Sequence, residues 1–486
     1  MAKAFPKEPT RAALQQSLPR IDPEPESAER IPFTYVPPSH ARAIDPDSVL
    51  VEGIRGAGKS FWWNALNQDA HRNFVATAFP ETRLSNSTRV GPGYGLGPSD
   101  NRFPTKDVIQ RLAMEFDPRY IWKAVVASHL QFPNPFPLSD QWRERVDWVA
   151  GHPEEYDQFF ARADKQLADQ RSTYVILFDA LDRLAADWVT LRPIAKALFQ
   201  LALDVRSSRA VRLKLFVRPD MVEDREILAF PDASKLLGQK VSLTWRKVDL
   251  YALLFQCLGN DVTHGEVIRE FMAHEFSLGY EQKAVNGPWT LPRMLRSDEG
   301  RQREVFDAIT GPTMASGPSG HKRGFPYTWL PNHLADGRDQ VSPRSYAAAL
   351  RNAAEYDQPE TWPYPIHYEG LKSGVQAASQ IRVDEIVRED YPWVNDAIQP
   401  LKNLTVPCLA SDFLERWETE ATVEKLRVKE VDKLPPQHLA EGAAGLLKDL
   451  ESLNLIQRLS DGRIQMPDVY RVAFGLGRKG GVKPVR

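Results

Sequence analysis

The residues with the clearest chemical meaning form one short segment, Gly53–Ser60, which reads Gly-Ile-Arg-Gly-Ala-Gly-Lys-Ser. This G-x-x-x-x-G-K-S spacing is typical of a phosphate-binding loop between a strand and a helix. Backbone N–H groups of such a loop surround phosphate oxygens, and a Cβ atom at Gly53 or Gly58 would obstruct them. Lys59 supplies a mobile positive charge for the β- and γ-phosphates, and Ser60 offers a hydroxyl to Mg²⁺. The segment predicts a site for a nucleoside triphosphate with Mg²⁺.

The bound nucleotide is predicted to be ATP, because the base-reading pattern N-K-x-D of GTPases does not occur in the sequence. We expect contacts to it from the loop and from the start of the helix that follows. These candidate contacts are Gly53, Arg55, Gly56, Ala57, Gly58, Lys59, Ser60 and Phe61. Trp62 and Trp63 follow on the same helix, and we interpret them as core residues.

Two aspartates, Asp179 and Asp182, follow the apolar run Tyr174–Phe178. Such a run without polar alternation is typical of a strand buried on both faces of a parallel sheet. A carboxylate at the carboxyl end of that strand points into the crevice where phosphates lie. We therefore expect Asp179 to hold Mg²⁺ through water, and Asp182 to orient or deprotonate the attacking water. For Asp182 the alternative is a helix cap followed by a first-turn acid. With Lys59, these are the predicted catalytic residues.

The elements that must position these residues can be read from the apolar periodicity. The runs Val49–Glu52, Tyr174–Phe178 and Leu213–Val217 predict strands, and Glu154–Gln170 predicts an intervening helix. Strands that alternate with helices are typical of βαβ units. We therefore expect an α/β fold, a parallel P-loop NTPase sheet flanked by helices, over about residues 48–245.

One glycine-rich segment invites a different interpretation. Gly91–Gly97 has alternating glycines that superficially resemble a dinucleotide-binding loop. No apolar strand precedes these glycines and no helix follows at once, so the context that such a motif needs is missing. We interpret the whole stretch between Thr82 and Asn101 as a loop.

The strand signals end after Trp245. Helical spacing then recurs at Val248–Leu258, Gly265–His274, Gln302–Ile309 and Pro343–Glu355, which predicts a smaller helical domain. A Pro- and aromatic-rich stretch follows it and is interpreted as a connector, after which helices resume at residues 384–389 and 412–420.

The C-terminal part has the order of signals expected for a winged-helix-like domain. Leu439–Leu450 predicts a helix, and two alternating runs flank Asp461 and Gly462, a dipeptide that favours a tight hairpin turn. Residues 411–451 carry 6 basic and 10 acidic residues, a net charge of −4, whereas residues 452–486 carry 7 basic and 2 acidic residues, a net charge of +5. The positive charge is therefore concentrated on the hairpin and the tail.

These C-terminal cations can neutralise DNA phosphates or can simply be solvated. They are Arg458, Arg463, Arg471, Arg478, Lys479, Lys483 and Arg486. Because the preceding half of the domain is acidic, the sequence favours a protein contact over a DNA contact.

The segment Asp179-Ala-Leu-Asp182, followed after a helix by a strand ending in Arg218-Pro219, resembles the STAND branch of the AAA+-related P-loop ATPases, of the NACHT and KAP type. The resemblance covers roughly residues 48–360. The chain departs from the NACHT pattern at Arg183, where those proteins carry an acid. Of the sensor-1 element, which ends in S/T-R-P, only Arg218 and the proline are present.

The resemblance implies that the helical domain is a lid that closes over the nucleotide. It implies that Arg218 contacts the nucleotide, and that Arg344, at the start of a helix, is a sensor-2 residue that reaches the γ-phosphate. The alternative for Arg344 is an arginine in the first turn of the helix that is solvated and does not contact the nucleotide. The predicted domains are residues 1–30 as a flexible Pro-rich arm, 31–247 as the P-loop ATPase core, 248–358 as the helical lid, 359–404 as a connector and 405–486 as the winged-helix-like domain.

The function predicted from these features is that of an ATP-binding and ATP-hydrolysing molecular switch. The resemblance implies a role in bacterial signalling or anti-phage defence through nucleotide-dependent assembly, as a homo-oligomer or with a partner effector protein. The alternative is a DNA-binding AAA+ ATPase, similar to origin-recognition or loader ATPases, that uses its winged helix on DNA.

The composition excludes several other classes of protein. The 486 residues carry 62 basic and 64 acidic side chains, so no global positive field points to nucleic acid, and any DNA binding must be local. No stretch approaches the ~18 consecutive apolar residues of a membrane helix. With only two cysteines, a disulfide framework is excluded as well. We expect a cytoplasmic protein without a membrane partner.

Overall fold

The structure is a computed structural model that describes residues 3–19, 28–97, 99–130, 139–282, 287–317, 320–429 and 434–484. These residues pack into two compact units. The first, called the sheet unit below, comprises Val36–Thr244 and Asp432–Leu434 in their described parts. The second, called the helical unit, comprises Met1–Tyr35, Trp245–Val431 and Pro435–Arg486 in their described parts.

Five parallel strands form the centre of the sheet unit. They are β1 Leu50–Glu52, β2 Thr88–Tyr94, β3 Thr173–Phe178, β4 Val211–Val217 and β5 Val241–Ser242. Their order across the sheet is β2-β3-β4-β1-β5, which places β4 between β1 and β3. The predicted α/β fold with a parallel sheet is confirmed. Because the strands are parallel, the loops after β1, β3 and β4 leave the same edge of the sheet.

Helices cover both faces of this sheet. Numbered along the whole chain, they are α2 Pro38–Ile44, α3 Lys59–Asn67, α4 Asp69–Ala78, α5 Lys106–Glu115, α6 Pro118–His129, α7 Trp142–Gly151, α8 Pro153–Asp169, α9 Trp188–Val205, α10 Pro219–Glu223 and α11 Ala233–Leu237. Successive strand residues point to opposite faces. Leu177 lies in the apolar cluster that contains Leu66 of α3, whereas the ring of Phe178 meets Trp122 of α6.

The prediction of a loop over Thr82–Asn101 is wrong, because β2 lies within it and forms an edge of the sheet. Gly93 of this strand and Gly95, directly after it, are places of close approach. A Cβ atom at Gly93 would lie 2.5 Å from Cζ of Phe178, and one at Gly95 would lie 2.5 Å from Cζ2 of Trp63. Large side chains from neighbouring elements fill the space that strand side chains usually occupy, which removes the apolar signal from the strand itself.

The helical unit has a core of its own, to which α1 Lys7–Ser17 contributes. Ala13 and Leu14 of this helix are fully buried, and Phe5 lies in the same cluster. The prediction of a flexible arm over residues 1–30 is therefore wrong for residues 3–19, while residues 20–27 lie outside the described ranges. Surrounding prolines masked the apolar spacing of this short helix.

Most of the helical unit follows Trp245. Its helices are α12 Lys247–Gly259, α13 Gly265–Phe276, α14 Met294–Ser297, α15 Glu299–Thr310, α16 Pro326–Leu334, α17 Pro343–Glu355, α18 Tyr368–Asp384, α19 Trp393–Ile398, α20 Ala410–Thr419, α21 Thr422–Arg427, α22 Ala443–Ser452 and α23 Asp468–Phe474. Two hairpins accompany them, β6 Glu281–Gln282 with β7 Trp289–Thr290, and β8 Gln457–Arg458 with β9 Ile464–Gln465. None of the helices in the described ranges has the length and hydropathy that a membrane span requires.

The segment 359–404, interpreted as a connector, contains α18, which packs against α17 and α23. A Cβ atom at Gly370 would lie 3.0 Å from the carbonyl oxygen of Ala353, and one at Gly374 would overlap that of Ala349. Small residues on both helices thus allow their backbones to approach closely. The helix predicted to begin at residue 384 is instead the π-helical turn Glu385–Asp390 at the end of α18.

The C-terminal elements form a winged-helix-like arrangement, as predicted. Helices α20, α21 and α22 precede the antiparallel pair β8 and β9, and an isolated bridge joins Cys408, just before α20, to Ile464 of β9. The hairpin turn contains Asp461 and Gly462, and Gly462 has a φ of 83°. A left-handed backbone at this position explains why the turn needs glycine.

Three histidines of the sheet unit, His40, His71 and His129, are buried with a lowered pKa that favours the neutral form, and the contacts of two of them are as follows. The indole Nε1 of Trp62 donates to Nδ1 of His40 at 2.9 Å, and burial lowers the pKa of His40 to about 3. Nε2 of His129 lies 3.0 Å from the carbonyl oxygen of Pro92, and the Tyr174 hydroxyl lies 3.4 Å from Nδ1. Burial lowers the pKa of His129 to about 4. Each imidazole therefore resists protonation in the folded state.

This arrangement predicts a loss of stability in acid. An unfolded imidazole titrates near pH 6.5, so between that pH and about pH 4 the unfolded chain binds more protons than the folded chain. The contribution of each neutral histidine to the free energy of unfolding is fully present above pH 6.5. It falls as the pH falls, and at pH 5 it has decreased by about 2 kcal/mol per histidine. His40→Asn keeps an acceptor for the indole but cannot titrate in this range, so it should lose less free energy of unfolding between pH 7 and pH 5 in denaturant titrations. His152→Asn changes an exposed histidine and serves as the control. Equal losses in the wild type and His40→Asn would contradict the assignment.

Candidate nucleotide-binding site

The loop between β1 and α3 is held in place at its start. The backbone N–H of Gly53 donates to the carbonyl oxygen of Val217, the last residue of β4, at 3.0 Å. Within the loop, the N–H of Ala57 donates to the carbonyl oxygen of Ile54 at 3.2 Å. A Cβ atom at Gly53 would lie 3.3 Å from Cβ of both Ala57 and Leu243, so a side chain would crowd the turn.

Two further glycines shape the loop through their backbone conformation. Gly56 has a φ of 74° and Gly58 a φ of 110°, both in the left-handed region that side chains disfavour. Gly58 is also the N-cap residue of α3. The first N–H groups of a helix have no partner within the helix and carry the positive end of its dipole. The loop and the start of α3 therefore provide the backbone donors that an anion needs.

Lys59 folds back over this loop. Its Nζ donates to the carbonyl oxygens of Gly53 at 2.7 Å and Ile54 at 3.0 Å. Burial lowers the pKa of Lys59 to about 8, and the negative charge of Asp179 partly opposes this effect. A polyphosphate placed at the loop would stabilise the charged ammonium further.

Ser60 and Asp179 meet across the crevice, although they follow different strands. The Ser60 hydroxyl donates to Oδ2 of Asp179 at 2.6 Å. Burial raises the pKa of Asp179, while the hydrogen bond from Ser60 and the charge of Lys59 act in the opposite direction. Asp179 is only 3% exposed, and its backbone N–H donates to the carbonyl oxygen of Tyr94 at the end of β2.

This pair has the chemistry of a magnesium site. Mg²⁺ prefers hard oxygen ligands and is usually bound through one or two protein groups, with water and substrate phosphates completing its coordination. A serine hydroxyl beside a carboxylate fits that pattern. Within the described ranges no group of three His, Cys, Asp or Glu side chains is placed to hold a metal alone. Ser60 and Asp179 would hold Mg²⁺ together with a nucleotide.

Asp182 lies in a short 3₁₀ turn, Leu181–Arg183, that directly follows the strand end. Ala180 caps this turn with a φ of 56°, so the chain reverses sharply after β3. Oδ2 of Asp182 lies 3.2 Å from Nη1 of Arg218. Asp182 is an acid in the first turn, as in the alternative interpretation, although the cap residue Ala180 makes no side-chain hydrogen bond, and the Asp182 carboxylate also contacts a cation.

The structure brings the predicted charged residues of the sheet unit together. The charges of Asp179, Asp182 and Arg218 all act on the pKa of Lys59, and so does that of Asp220. Asp220 was not among the site residues predicted from the sequence. It accepts from Nε of Arg218 at 3.2 Å, and its only sequence signal is its place in the first turn of α10, two residues after the arginine.

Three other predicted nucleotide contacts are placed as follows. Arg55 lies in the loop and is partly exposed. Phe61 lies in the first turn of α3, where its ring packs at 4.8 Å against Trp62. Arg344 lies in the helical unit, where its Nη1 is 2.7 Å from Oε1 of the buried Glu385. The nucleotide contacts of these three residues stay predictions.

Comparisons with known proteins find similarity only among solved structures. No protein-family model and no curated protein matches the chain. The ORC2 protein of Aeropyrum pernix, solved in ADPNP and ADP complexes, is 14% identical, with a TM-score of 0.40 and coverage of 91% of this chain and 94% of that chain. Cdc6p from Pyrobaculum aerophilum is 11% identical, with a TM-score of 0.26 and coverage of 87% and 83%. Neither is a NACHT or KAP protein by name, and neither similarity assigns a function to this chain.

Proposed function

We propose that this protein is an AAA+-type ATPase that binds Mg²⁺-ATP and hydrolyses it. The observation that carries the proposal is the 2.6 Å hydrogen bond from Ser60 to Asp179. It joins a phosphate-binding loop to the carboxylate at the end of a neighbouring buried strand. Bound there, Mg²⁺ would neutralise charge on the β- and γ-phosphates. A glycine turn of purely structural purpose would not require this second group.

Each residue of the site has a defined task in this proposal. The N–H groups of the loop and of the first turn of α3 bind phosphate oxygens. The ammonium of Lys59 leaves the carbonyl oxygens of the loop for the β- and γ-phosphates. Asp182 orients the attacking water and accepts its proton, and Arg218 lies beside it, where charge develops on the γ-phosphate. The described contacts offer no support for the signalling or defence role, so the proposal does not include it.

The C-terminal cations are less available than the sequence suggests. Arg471, predicted among the groups that can contact DNA, is fully buried: Nε donates to Asp468 at 2.7 Å, and the other nitrogens donate to backbone carbonyls. Arg478 also lies 3.2 Å from Asp468. Lys479 and Lys483 are exposed. Arg486 lies outside the described residues.

DNA binding by the hairpin of β8 and β9, called the wing below, is the second candidate function. The observation that favours it is the pair of half-exposed arginines on one hairpin, Arg458 and Arg463. Their ion pairs with Glu451 at 3.0 Å and Asp461 at 2.7 Å are at the surface, where such pairs contribute little and exchange readily for phosphate. The charge of α22 argues against DNA binding, because its charged side chains are one base, Lys448, and two acids, Asp449 and Glu451.

Two measurements on the whole chain test the candidates: ATP turnover tests the ATPase proposal, and DNA affinity as a function of salt concentration tests DNA binding. We expect Mg²⁺-dependent release of phosphate, and its absence would overturn the ATPase proposal.

If the wing binds DNA, the affinity for DNA should fall as the salt concentration rises, at a log–log slope of about −0.9 per phosphate neutralised. The double variant Arg458→Glu, Arg463→Glu should flatten that slope, whereas Arg416→Glu, an exposed arginine of α20, should leave it nearly unchanged. ATP-dependent assembly without DNA binding would instead favour a protein contact.

A further inference from the structure

Lys214 is a charged residue in the middle of β4, between the buried apolar residues Leu213 and Leu215. Its side chain is fully buried. An ammonium that leaves water loses its hydration, so a charge in a protein interior is strongly disfavoured without close partners. The partners of Lys214 therefore indicate what this charge is used for.

Three backbone carbonyl oxygens accept hydrogen bonds from Nζ of Lys214. They belong to Ala43 at 2.7 Å, Asp45 at 2.9 Å and Ser48 at 2.5 Å. Ala43 lies in the last turn of α2, Asp45 is the C-cap residue of that helix, and Ser48 precedes β1. Carbonyl groups at the end of a helix lack partners within the helix and carry the negative end of its dipole. Lys214 thus attaches the end of α2 and the start of β1 to the centre of the sheet.

Another part of α2 packs against the phosphate-binding loop. Nδ1 of His40, in the middle of α2, accepts from Nε1 of Trp62 in α3 at 2.9 Å, and this contact is called the His40–Trp62 link below. A Cβ atom at Gly58 would lie 3.9 Å from atoms of both rings. The link is buried and lies directly beside the N-cap residue of α3, which Lys59 and Ser60 follow.

We infer that Lys214 is a positioning residue for the phosphate-binding loop, which it supports through α2 and the His40–Trp62 link. The inference rests on the proposed function, because it concerns the affinity of that loop for a nucleotide. Lys214 fixes the end of α2, and α2 holds the imidazole of His40 in place beside Gly58. The ammonium lies at the start of β1, whereas the loop follows the end of that strand, so Lys214 acts through other residues.

The effect on affinity follows from preorganisation. The loop binds phosphate through backbone N–H groups that must point to one place. When these groups are held in position before binding, less conformational freedom is lost as the nucleotide binds. A loop that has lost its support at Gly58 would have to be ordered by the nucleotide itself. ATP and ADP share this loop, so the affinity for both should depend on Lys214.

The first test is the variant Lys214→Met, which removes the charge and the three hydrogen bonds but keeps an unbranched side chain of similar length. We expect the affinity for ATP and for ADP to fall about tenfold. Isothermal titration of the whole chain with Mg²⁺ present measures the affinity, and the stoichiometry reports the folded fraction separately. If Lys214 served only the stability of the fold, the melting temperature and the stoichiometry would fall while the affinity stayed within twofold of wild type. That result would overturn the inference.

Arg212→Met is the matched control for the loss of a positive charge. Arg212 lies two positions earlier in β4, on the same face of the strand, and its Nε contacts the carboxylate of Asp47 at 2.9 Å. Asp47 is exposed, and an ion pair at the surface contributes little. We expect the control to bind both nucleotides within twofold of wild type. An equal loss in the control and in Lys214→Met would assign the effect to charge alone and would contradict a role for the carbonyl contacts.

A double-mutant cycle tests the route through the His40–Trp62 link. Trp62→Phe removes the indole N–H and breaks the link, so this variant by itself should also weaken ATP binding about tenfold. In the Trp62→Phe background, Lys214→Met should weaken binding less than twofold further, because the two residues act through the same contact. A further tenfold loss in that background, or no loss in Trp62→Phe alone, rules out the link as the route.

Hydrogen exchange of the whole chain without nucleotide tests the same route independently of binding. Lys214→Met should raise the exchange rates about tenfold both at residues 43–48 and in the first turn of α3, and should leave α8 unchanged. Faster exchange at residues 43–48 alone would show that α3 is positioned without Lys214, which overturns the inference. A wild-type chain that binds neither ATP nor ADP would instead overturn the proposed function, and the role of Lys214 in nucleotide affinity with it.

Discussion

Substitution of Lys59 by alanine should lower the affinity for ATP at least ~100-fold, because charge-assisted contacts to two phosphates are lost in a partly buried site. The ammonium lies 2.7 Å from the carbonyl oxygen of Gly53 and is directed over the loop. Isothermal titration with Mg²⁺-ATP measures the effect. An unchanged affinity would refute the location of the site.

The matched control for this substitution is Lys106→Ala, which removes an exposed lysine from α5 of the same unit. Lys59→Ala also removes two hydrogen bonds to backbone carbonyls, so its melting temperature must be measured beside its affinity. Lys59→Met retains the length of the side chain and separates the loss of charge from the loss of packing. Both Lys59 variants should fold and both should fail to bind.

Asp182→Asn and Asp179→Asn should produce different defects. Asp182→Asn should reduce turnover by about 10²–10⁴-fold while Mg²⁺-ATP stays bound, because only the proton acceptor is lost. Asp179→Asn removes a buried charge beside Ser60 and should raise the Mg²⁺ concentration needed for binding. Single-turnover hydrolysis and a Mg²⁺ titration of nucleotide affinity measure the two effects.

The comparison of the two variants decides the division of roles. Identical defects in binding and turnover would contradict it, and full activity in Asp182→Asn would assign the base to another acid. Asp157→Asn, which changes an exposed acid on α8, controls for a general effect of lost negative charge.

The phosphate-binding loop could be predicted from the sequence because its determinants are local. The left-handed conformations of Gly56 and Gly58 and the helix that begins at Lys59 are specified by residues within a few positions of one another. The same holds for the buried strand before Asp179, whose continuous apolar run reflects helices on both faces of the sheet. The hairpin turn at Gly462 is equally local.

Elements whose signal depends on distant partners could not be predicted in this way. β2 carries Gly93 because Phe178 of β3 occupies the space beside it, and Gly95 follows the strand where Trp63 of α3 does the same. α1 is a stable helix because its apolar side of Ala13 and Leu14 is buried against helices more than two hundred residues later in the chain. Its own length and sequence offer little helical stability without that packing.

The arrangement of charges at the site also depends on residues that are distant in the sequence, so it could not be predicted. Asp182 and Arg218 are 36 positions apart in the sequence, and only the strand order, with β4 next to β3, brings them within 3.2 Å. The sequence determined that a phosphate loop and two acids exist and that they follow buried strands. The tertiary structure decided which cation each acid contacts, because an ion pair depends on distance in space, and that distance is set by the packing of the sheet.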